Sequence, residues 1–140
     1  MILITEMEHH SNIVPWFSLA KERKLIVKFI NITNEGKLDQ RHYQSLLELQ
    51  PKIVAFTHMS NVLGTINPAK KMIELAHQAG AITVVDGAQS VPHLSVCIDD
   101  LDADFYAFSA HKMCGPTGIG ILFGKKELLE NMPSFLGGGD

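Results

Sequence analysis

Residues 53–86, IVAFTHMSNVLGTINPAKKMIELAHQAGAITVVD, decide the fold. Ile53 to Phe56 is a compact apolar run of strand length. Asn67-Pro68 then reads as a helix start, with Asn at the N-cap and Pro at the first helical position. Ala69, Met72, Ile73, Ala76 and Ala79 fall on one stripe of the helix that follows, and Gly80 suits a left-handed stop. Ile82 to Val85 is a β-branched strand that ends at Asp86. The two strands start about 30 residues apart with a helix between them, the length of a βαβ unit, so they run parallel with a right-handed connection. Both are apolar on both faces, as expected of strands covered by helices.

Outward from this unit the alternation continues. Ile2 to Thr5 is a short strand, after which Ser11 or Asn12 can cap a helix running past Trp16 towards Arg23. Pro15 is tolerable there only within the first turn. Leu25 to Ile32 is the next strand, closed by the turn signal Asn34-Glu35-Gly36. Asp39 can cap a helix whose Tyr43, Leu46 and Leu47 share one face. Phe105 to Ser109 and Gly118 to Phe123 are further strands. The link between them is too short for a parallel crossover, so the last strand is antiparallel. Lys125 to Met132 is a short helix. The expected class is α/β: a mixed, mainly parallel sheet with flanking helices, without internal repeats or a linker.

The 140 residues are 46% hydrophobic and 19% charged, with mean hydropathy +0.10, which excludes a disordered chain. A net charge of −3 gives no reason to expect nucleic acid or anionic membrane as a partner. No apolar run spans a bilayer and the N-terminus lacks a signal-peptide pattern. Two cysteines, Cys97 and Cys114, cannot build a disulfide framework and suit a reducing cytoplasm. The chain starts inside a strand and stops at Gly137-Gly138-Gly139-Asp140, so both ends read as cut.

Ligands of open α/β sheets bind beyond the carboxyl ends of the strands. The polar residues there are His9 and His10, Thr57 to Asn61, Asp86 to Ser90, and Ser109 to Lys112, and the sheet reading makes them converge on one rim. No P-loop or dinucleotide fingerprint can be drawn through the glycine-rich stretch Gly115 to Gly124. The seven histidines are scattered, and His111-x-x-Cys114 is one pair without a second, so no metal is expected. Taken singly, each rim residue has an ordinary reading. Asp86 is an N-cap, Lys112 a solvated charge, His9 a surface or capping histidine, Asn61 and Gln89 turn and helix-start residues, and Ser109 a strand end.

Four motifs taken in order change that reading. They are Glu8-His9-His10-Ser11-Asn12-Ile13-Val14-Pro15-Trp16, Thr57-His58-Met59-Ser60-Asn61-Val62-Leu63-Gly64-Thr65, Val85-Asp86-Gly87-Ala88-Gln89-Ser90 and His111-Lys112-Met113-Cys114-Gly115-Pro116-Thr117-Gly118. Together they resemble the Suf-type cysteine desulfurases and selenocysteine lyases, within the class V aminotransferase family of pyridoxal-phosphate enzymes, over essentially the whole chain. The resemblance implies part of the large domain of fold-type I transferases. Residues 1–140 would be its central segment, with an upstream segment and a C-terminal small domain absent.

By that resemblance Asp86 partners the pyridine nitrogen of pyridoxal phosphate, Lys112 bonds its aldehyde and serves as base and acid, and His9 stacks on the ring and moves protons, which makes Lys112 and His9 the catalytic pair. Gln89 reaches the phenolic oxygen, Ser109 and His111 contact the phosphate, and Asn61 lies near the cofactor and the substrate carboxylate. The implied reaction takes L-cysteine to L-alanine and leaves sulfur on an enzyme cysteine for iron–sulfur cluster assembly. The family implies a homodimer and a sulfur-acceptor protein. L-Selenocysteine is the alternative substrate; a cysteine lyase or kynureninase-like enzyme, or a catalytically inactive fragment with exposed apolar sheet faces, is the alternative identity. The family's persulfide-forming cysteine and substrate-binding arginine have no counterpart here, and Cys114 reads as a packing residue. Ala110 stands where the family usually has Gly, which would matter if the backbone there needed a positive φ. His10, His58, His77 and His93 are expected to be structural or surface residues. Asp99, Asp100, Asp102 and Asp104 are expected to solvate a loop.

Overall fold

A computed structural model describes residues 1–134; the terminal Gly137-Gly138-Gly139-Asp140 lies outside them. The first strand, β1 (Ile2–Thr5), is fully buried. A single 3-10 turn, His10–Asn12, leads into α1 (Val14–Arg23), and Pro15 falls in its first turn. Neither Ser11 nor Asn12 caps α1; the cap is Ile13, because both polar side chains are engaged elsewhere. Ser11 Oγ pairs with His9 Nδ1, and Asn12 Nδ2 donates to Glu8.

Strand β2 (Val27–Ile30) is shorter than its apolar run, because it matches the four residues of β1 one for one. Helix α2 (Gln40–Leu47) starts as expected, with Asp39 Oδ1 accepting from Arg41 N and His42 N. Strand β3 (Ile53–Thr57) and helix α3 (Ala69–Gln78) follow. Pro68, not Asn67, is the N-cap of α3. The amide of Asn67 is buried and donates to Thr57 O at 2.7 Å, so it ties the loop to β3 instead of capping the helix. Gly80 takes φ +74 as the stop. Strand β4 (Ile82–Asp86), the short helices α4 (Ser90–His93) and α5 (Ile98–Leu101), β5 (Phe105–Ser109), β6 (Gly120–Gly124) and α6 (Lys126–Glu130) complete the order.

The six strands form one sheet in the order β2-β1-β3-β4-β5-β6, parallel except for the antiparallel β5–β6 pair. One face carries the larger core, in which Leu3, Val54, Phe56 and Tyr106 meet Tyr43 of α2 and Met72 and Ile73 of α3. The other face packs Ile2, Ile4 and Ala55 against Ile13, Trp16 and Leu19. Towards β6 the cover thins: Leu122 is 59% exposed and Ile119, just before the strand, is 51% exposed.

Two polar placements differ from expectation. Asp104 does not solvate a loop. It is 6% exposed and accepts from Thr83 N, Thr83 Oγ1 and His77 Nε2 at 2.8–3.0 Å, with Lys125 Nζ at 3.0 Å. Burial alone would raise its carboxyl, but these partners hold it below the usual range. Cys114 is exposed, not packed, and sits at φ +65 where the 3-10 turn Ala110–Met113 ends. Ala110 opens that turn and is absent from the positive-φ residues, so its methyl group fits; it packs where a Cβ on Gly115 would collide with it at 2.9 Å.

Gly87 is required by close approach. A Cβ there would stand 2.0 Å from Tyr106 Cε1. Tyr106 is fully buried, its hydroxyl pairing with Ser90 Oγ at 2.6 Å and His58 Nδ1 at 2.9 Å, so the ring has no room to retreat. Gly87→Ala is expected to lower stability by about 2 kcal/mol, read from the urea midpoint at unchanged m-value.

Candidate active site

The strand order reverses about β1, which has β2 on one side and β3 on the other, and the carboxyl ends of β1, β3, β4 and β5 point to one rim. A cavity of about 550 Å³ opens there, within the size range of small-molecule sites. His9, Asn61, Asp86, Gln89, Ser109, His111 and Lys112 all line it. Residues from four separate loops are thus brought together, as the sheet reading requires.

Each side chain is placed by a short-range device. Asp86 is the last residue of β4 and half-buried; its Oδ1 accepts from Ala88 N at 2.8 Å, which turns the chain sharply into Gly87 and α4. Gln89 is the N-cap residue of α4. Ser109 ends β5, and His111 and Lys112 follow in the exposed 3-10 turn. Asn61 lies in the exposed turn after β3, where Ser60 Oγ accepts from Val62 N and Leu63 N. His9 precedes the turn before α1, and its Nδ1 accepts from Ser11 N at 3.2 Å, which leaves the ring proton on Nε2. Neither Asp86 nor Lys112 takes part in an ion pair among the described residues.

Further lining residues include Ser11, Asn12, Thr57, Met59, Val84 and Ala107. Thr57 and Met59 belong to a loop already placed on the rim. Val84 and Ala107 could have been found from the period of two, since they share a sheet face with Asp86 and Ser109. His58, by the same alternation, turns to the opposite face and binds Tyr106, as a structural histidine. Neither Cys97 nor Cys114 lines the cavity.

Glu8 is the group that residue-by-residue reading passes over. It is buried behind the cavity and bonds Thr5 Oγ1, Asn12 Nδ2 at 2.7 Å and Thr57 N at 2.9 Å. Its carboxyl is pushed up to about 7, chiefly by burial and further by the charge of Asp86, against the pull of those three hydrogen bonds. An acid with a folded pKa above its unfolded value binds its proton more tightly when folded. Its contribution to stability is complete below about pH 4.5 and is lost as pH rises through about 7. Glu8→Gln is neutral throughout. The wild type is therefore expected to lose on the order of 2–3 kcal/mol relative to that variant between those limits, read from urea unfolding of both at each pH. His58, held low by burial, gives a slope of opposite sign that is common to both proteins and cancels in the difference.

The Aminotransferase class-V family model matches residues 1–140. A cysteine desulfurase of Haloferax volcanii is 47% identical over 139 residues, covering 99% of this chain and 33% of that protein. One of Dickeya dadantii is 52% identical over 138 residues, covering 99% and 34%. Among solved structures, the cysteine desulfurase CsdA (S-sulfonic acid) of Escherichia coli superposes with a TM-score of 0.90 at 42% identity, covering 99% of this chain and 35% of that one. The apo cysteine desulfurase of Thermococcus onnurineus NA1 gives 0.92 at 41%, with the same coverage. The chain thus spans about a third of the length of the curated relatives it matches.

Proposed function

The chain belongs to the class-V aminotransferase family, and we propose that it is the central, cofactor-binding part of a cysteine desulfurase. The observation that carries this reading is the meeting of Asp86, Lys112, His9, Gln89, Ser109, His111 and Asn61 around one cavity. Those groups fit pyridoxal phosphate: a carboxylate for a protonated ring nitrogen, an amine for an aldehyde, a flat imidazole for a ring face, and hydroxyl and imidazole donors for a phosphate. When bound, that cofactor supplies an electron sink for the pair released at the substrate's α-carbon.

The chain's own residues would divide the remaining work. Asp86, which has no cationic partner among the described residues, would hold a proton at the ring nitrogen. Lys112 would be the amine that holds the cofactor's aldehyde, and the same amine, when free, would take up the substrate's α-proton and return it. His9 would offer its imidazole to one ring face, with the proton on Nε2. Gln89 would donate its side-chain amide to the phenolic oxygen, Ser109 and His111 would bind the phosphate, and Asn61 would face the substrate carboxylate. The thiol that takes the sulfur comes from elsewhere, because neither cysteine of this chain reaches the cavity.

We assign residues 1–140 to part of a large cofactor-binding domain that further segments of a full-length protein would complete, in keeping with relatives about three times as long. The substrate we assign is L-cysteine, with sulfur passing to an acceptor protein for iron–sulfur cluster assembly and with two copies pairing as a homodimer. The compartment we assign is the cytoplasm, supported by two free, exposed cysteines. No helix among the described residues is long and apolar enough to cross a membrane. In the full-length protein that carries this chain, L-cysteine with a thiol reductant is expected to yield L-alanine and sulfide in equal amounts. Pyruvate and ammonia in place of alanine, or turnover of L-selenocysteine alone, would overturn the assignment.

A further inference from the structure

We propose that Glu8 is the positioning residue of this site: its buried carboxyl fastens the turn that carries His9 to the end of the sheet that carries Asp86. The inference rests on the functional reading above, in which a flat cofactor lies between those two residues.

The geometry begins with an unpaired backbone donor. The pairing of β1 with β3 runs from Ile2–Ile53 to Leu3–Val54 and goes no further. Thr57, the last residue of β3, therefore has no β1 partner for its N–H, and Glu8 Oε1 takes it at 2.9 Å. The other carboxylate oxygen, Oε2, accepts from Asn12 Nδ2 at 2.7 Å. Asn12 Oδ1 in turn accepts from Trp16 Nε1 at 3.0 Å. Thr5 Oγ1, at the end of β1, also bonds Oε1 and accepts from Met7 N. One carboxyl thus joins β1, β3 and, through Asn12, helix α1.

His9 has no such anchor of its own. Among the described residues its exposed ring is bonded only to Ser11, two residues along the same turn. What holds that turn against the sheet from within is Glu8, the preceding residue, and Asn12. On the sheet side, Thr57 pairs directly with Asp86 in the β3–β4 register, and His58 N donates to Asp86 O at 2.9 Å. The path from His9 to Asp86 therefore runs through Glu8 and Thr57, one strand apart. Ile or Leu at position 8 would fill the space and Ala would leave it empty, but all three leave Thr57 N and Asn12 Nδ2 without acceptors, and the His9 wall would be free to shift relative to the Asp86 wall.

A residue that only stabilised the fold would affect melting and nothing else, so the test separates the two. It uses the full chain. Without cofactor, NMR follows the indole N–H of Trp16, the only tryptophan of the sequence, and the ring signals of His9. Pyridoxal phosphate is then titrated in and its dissociation constant read from the visible absorbance. Glu8→Ala is expected to move both sets of signals and to raise the dissociation constant about tenfold or more. Ile73→Ala, in the core on the opposite sheet face, is expected to lower the melting temperature by at least as much while changing neither. If Glu8→Ala does not fold, Glu8→Gln serves. It keeps an acceptor for Thr57 N but turns a second N–H donor towards Asn12, and an increase of about threefold or more is expected. Unmoved signals with a dissociation constant within about twofold of wild type, or an equal loss in Ile73→Ala, would overturn the inference. A wild-type chain that takes up no pyridoxal phosphate would overturn the functional reading instead.

Discussion

Lys112→Ala is expected to abolish the visible absorption band that forms when the protein is titrated with pyridoxal phosphate. Lys112 is the only amine among the residues lining the cavity. Lys125, the lysine nearest in sequence on its C-terminal side, is held in ion pairs with Asp102 and Asp104 at 2.6 and 3.0 Å. A band that needs a bond between the cofactor's aldehyde carbon and an amine therefore has one source. Ser109 and His111, which we assign to the phosphate, remain in the variant, so the expected loss is one of bonding, not of the whole site. Lys112→Arg sharpens the point. It restores the positive charge but not a nucleophilic amine, and is expected to show no band either. A band of wild-type intensity in either variant contradicts the assignment.

Asp86→Ala is expected to weaken pyridoxal phosphate binding by about a thousandfold, or about 4 kcal/mol, because it would leave the protonated ring nitrogen without the carboxylate we assign to it. The deletion also removes the acceptor for Ala88 N, which shapes the turn into α4. Asp86→Asn isolates the charge: its amide oxygen still accepts from Ala88 N, so the turn survives while the counter-charge is lost. The Asn variant is expected to fall between wild type and Ala in affinity, with a melting temperature closer to wild type. Equal affinity in all three proteins would show that Asp86 is an N-terminal turn residue and nothing more.

Much of the fold was legible because its signals are local. Apolar runs of strand length gave β1, β3, β4 and β5, and the short link after Ser109 gave the antiparallel β6. Asp39 capped its helix as read, since a short carboxylate beside two free amides has no better partner. Asn67, Ser11 and Asn12 failed as caps for one reason: each found a partner that sequence distance or the turn geometry concealed, Thr57 O for Asn67 and the Glu8–His9 turn for the other two. The same reason hid Asp104, whose partners come from residues 77, 83 and 125. Helix α5, at four residues, is too short to show a period.

The candidate site was legible at two levels. The rule that ligands gather at the carboxyl ends of strands placed four loops on one rim, and the order of the motifs named the residues within them. Glu8 was visible in its motif but not in its role. An acid beside a histidine looks like surface, and only the unpaired N–H of Thr57, 49 residues away, explains why it is buried. Ala110 shows the converse: a departure from the family pattern that looked costly is accommodated, because the backbone there is not left-handed.

The central claim is that this chain holds a pyridoxal phosphate site built on Lys112. The most direct test loads the protein with that cofactor, traps the carbon–nitrogen bond with borohydride and maps the modified peptide by mass spectrometry. A single adduct on Lys112 is the predicted result. An adduct on a different lysine, or none in a folded protein, would contradict it.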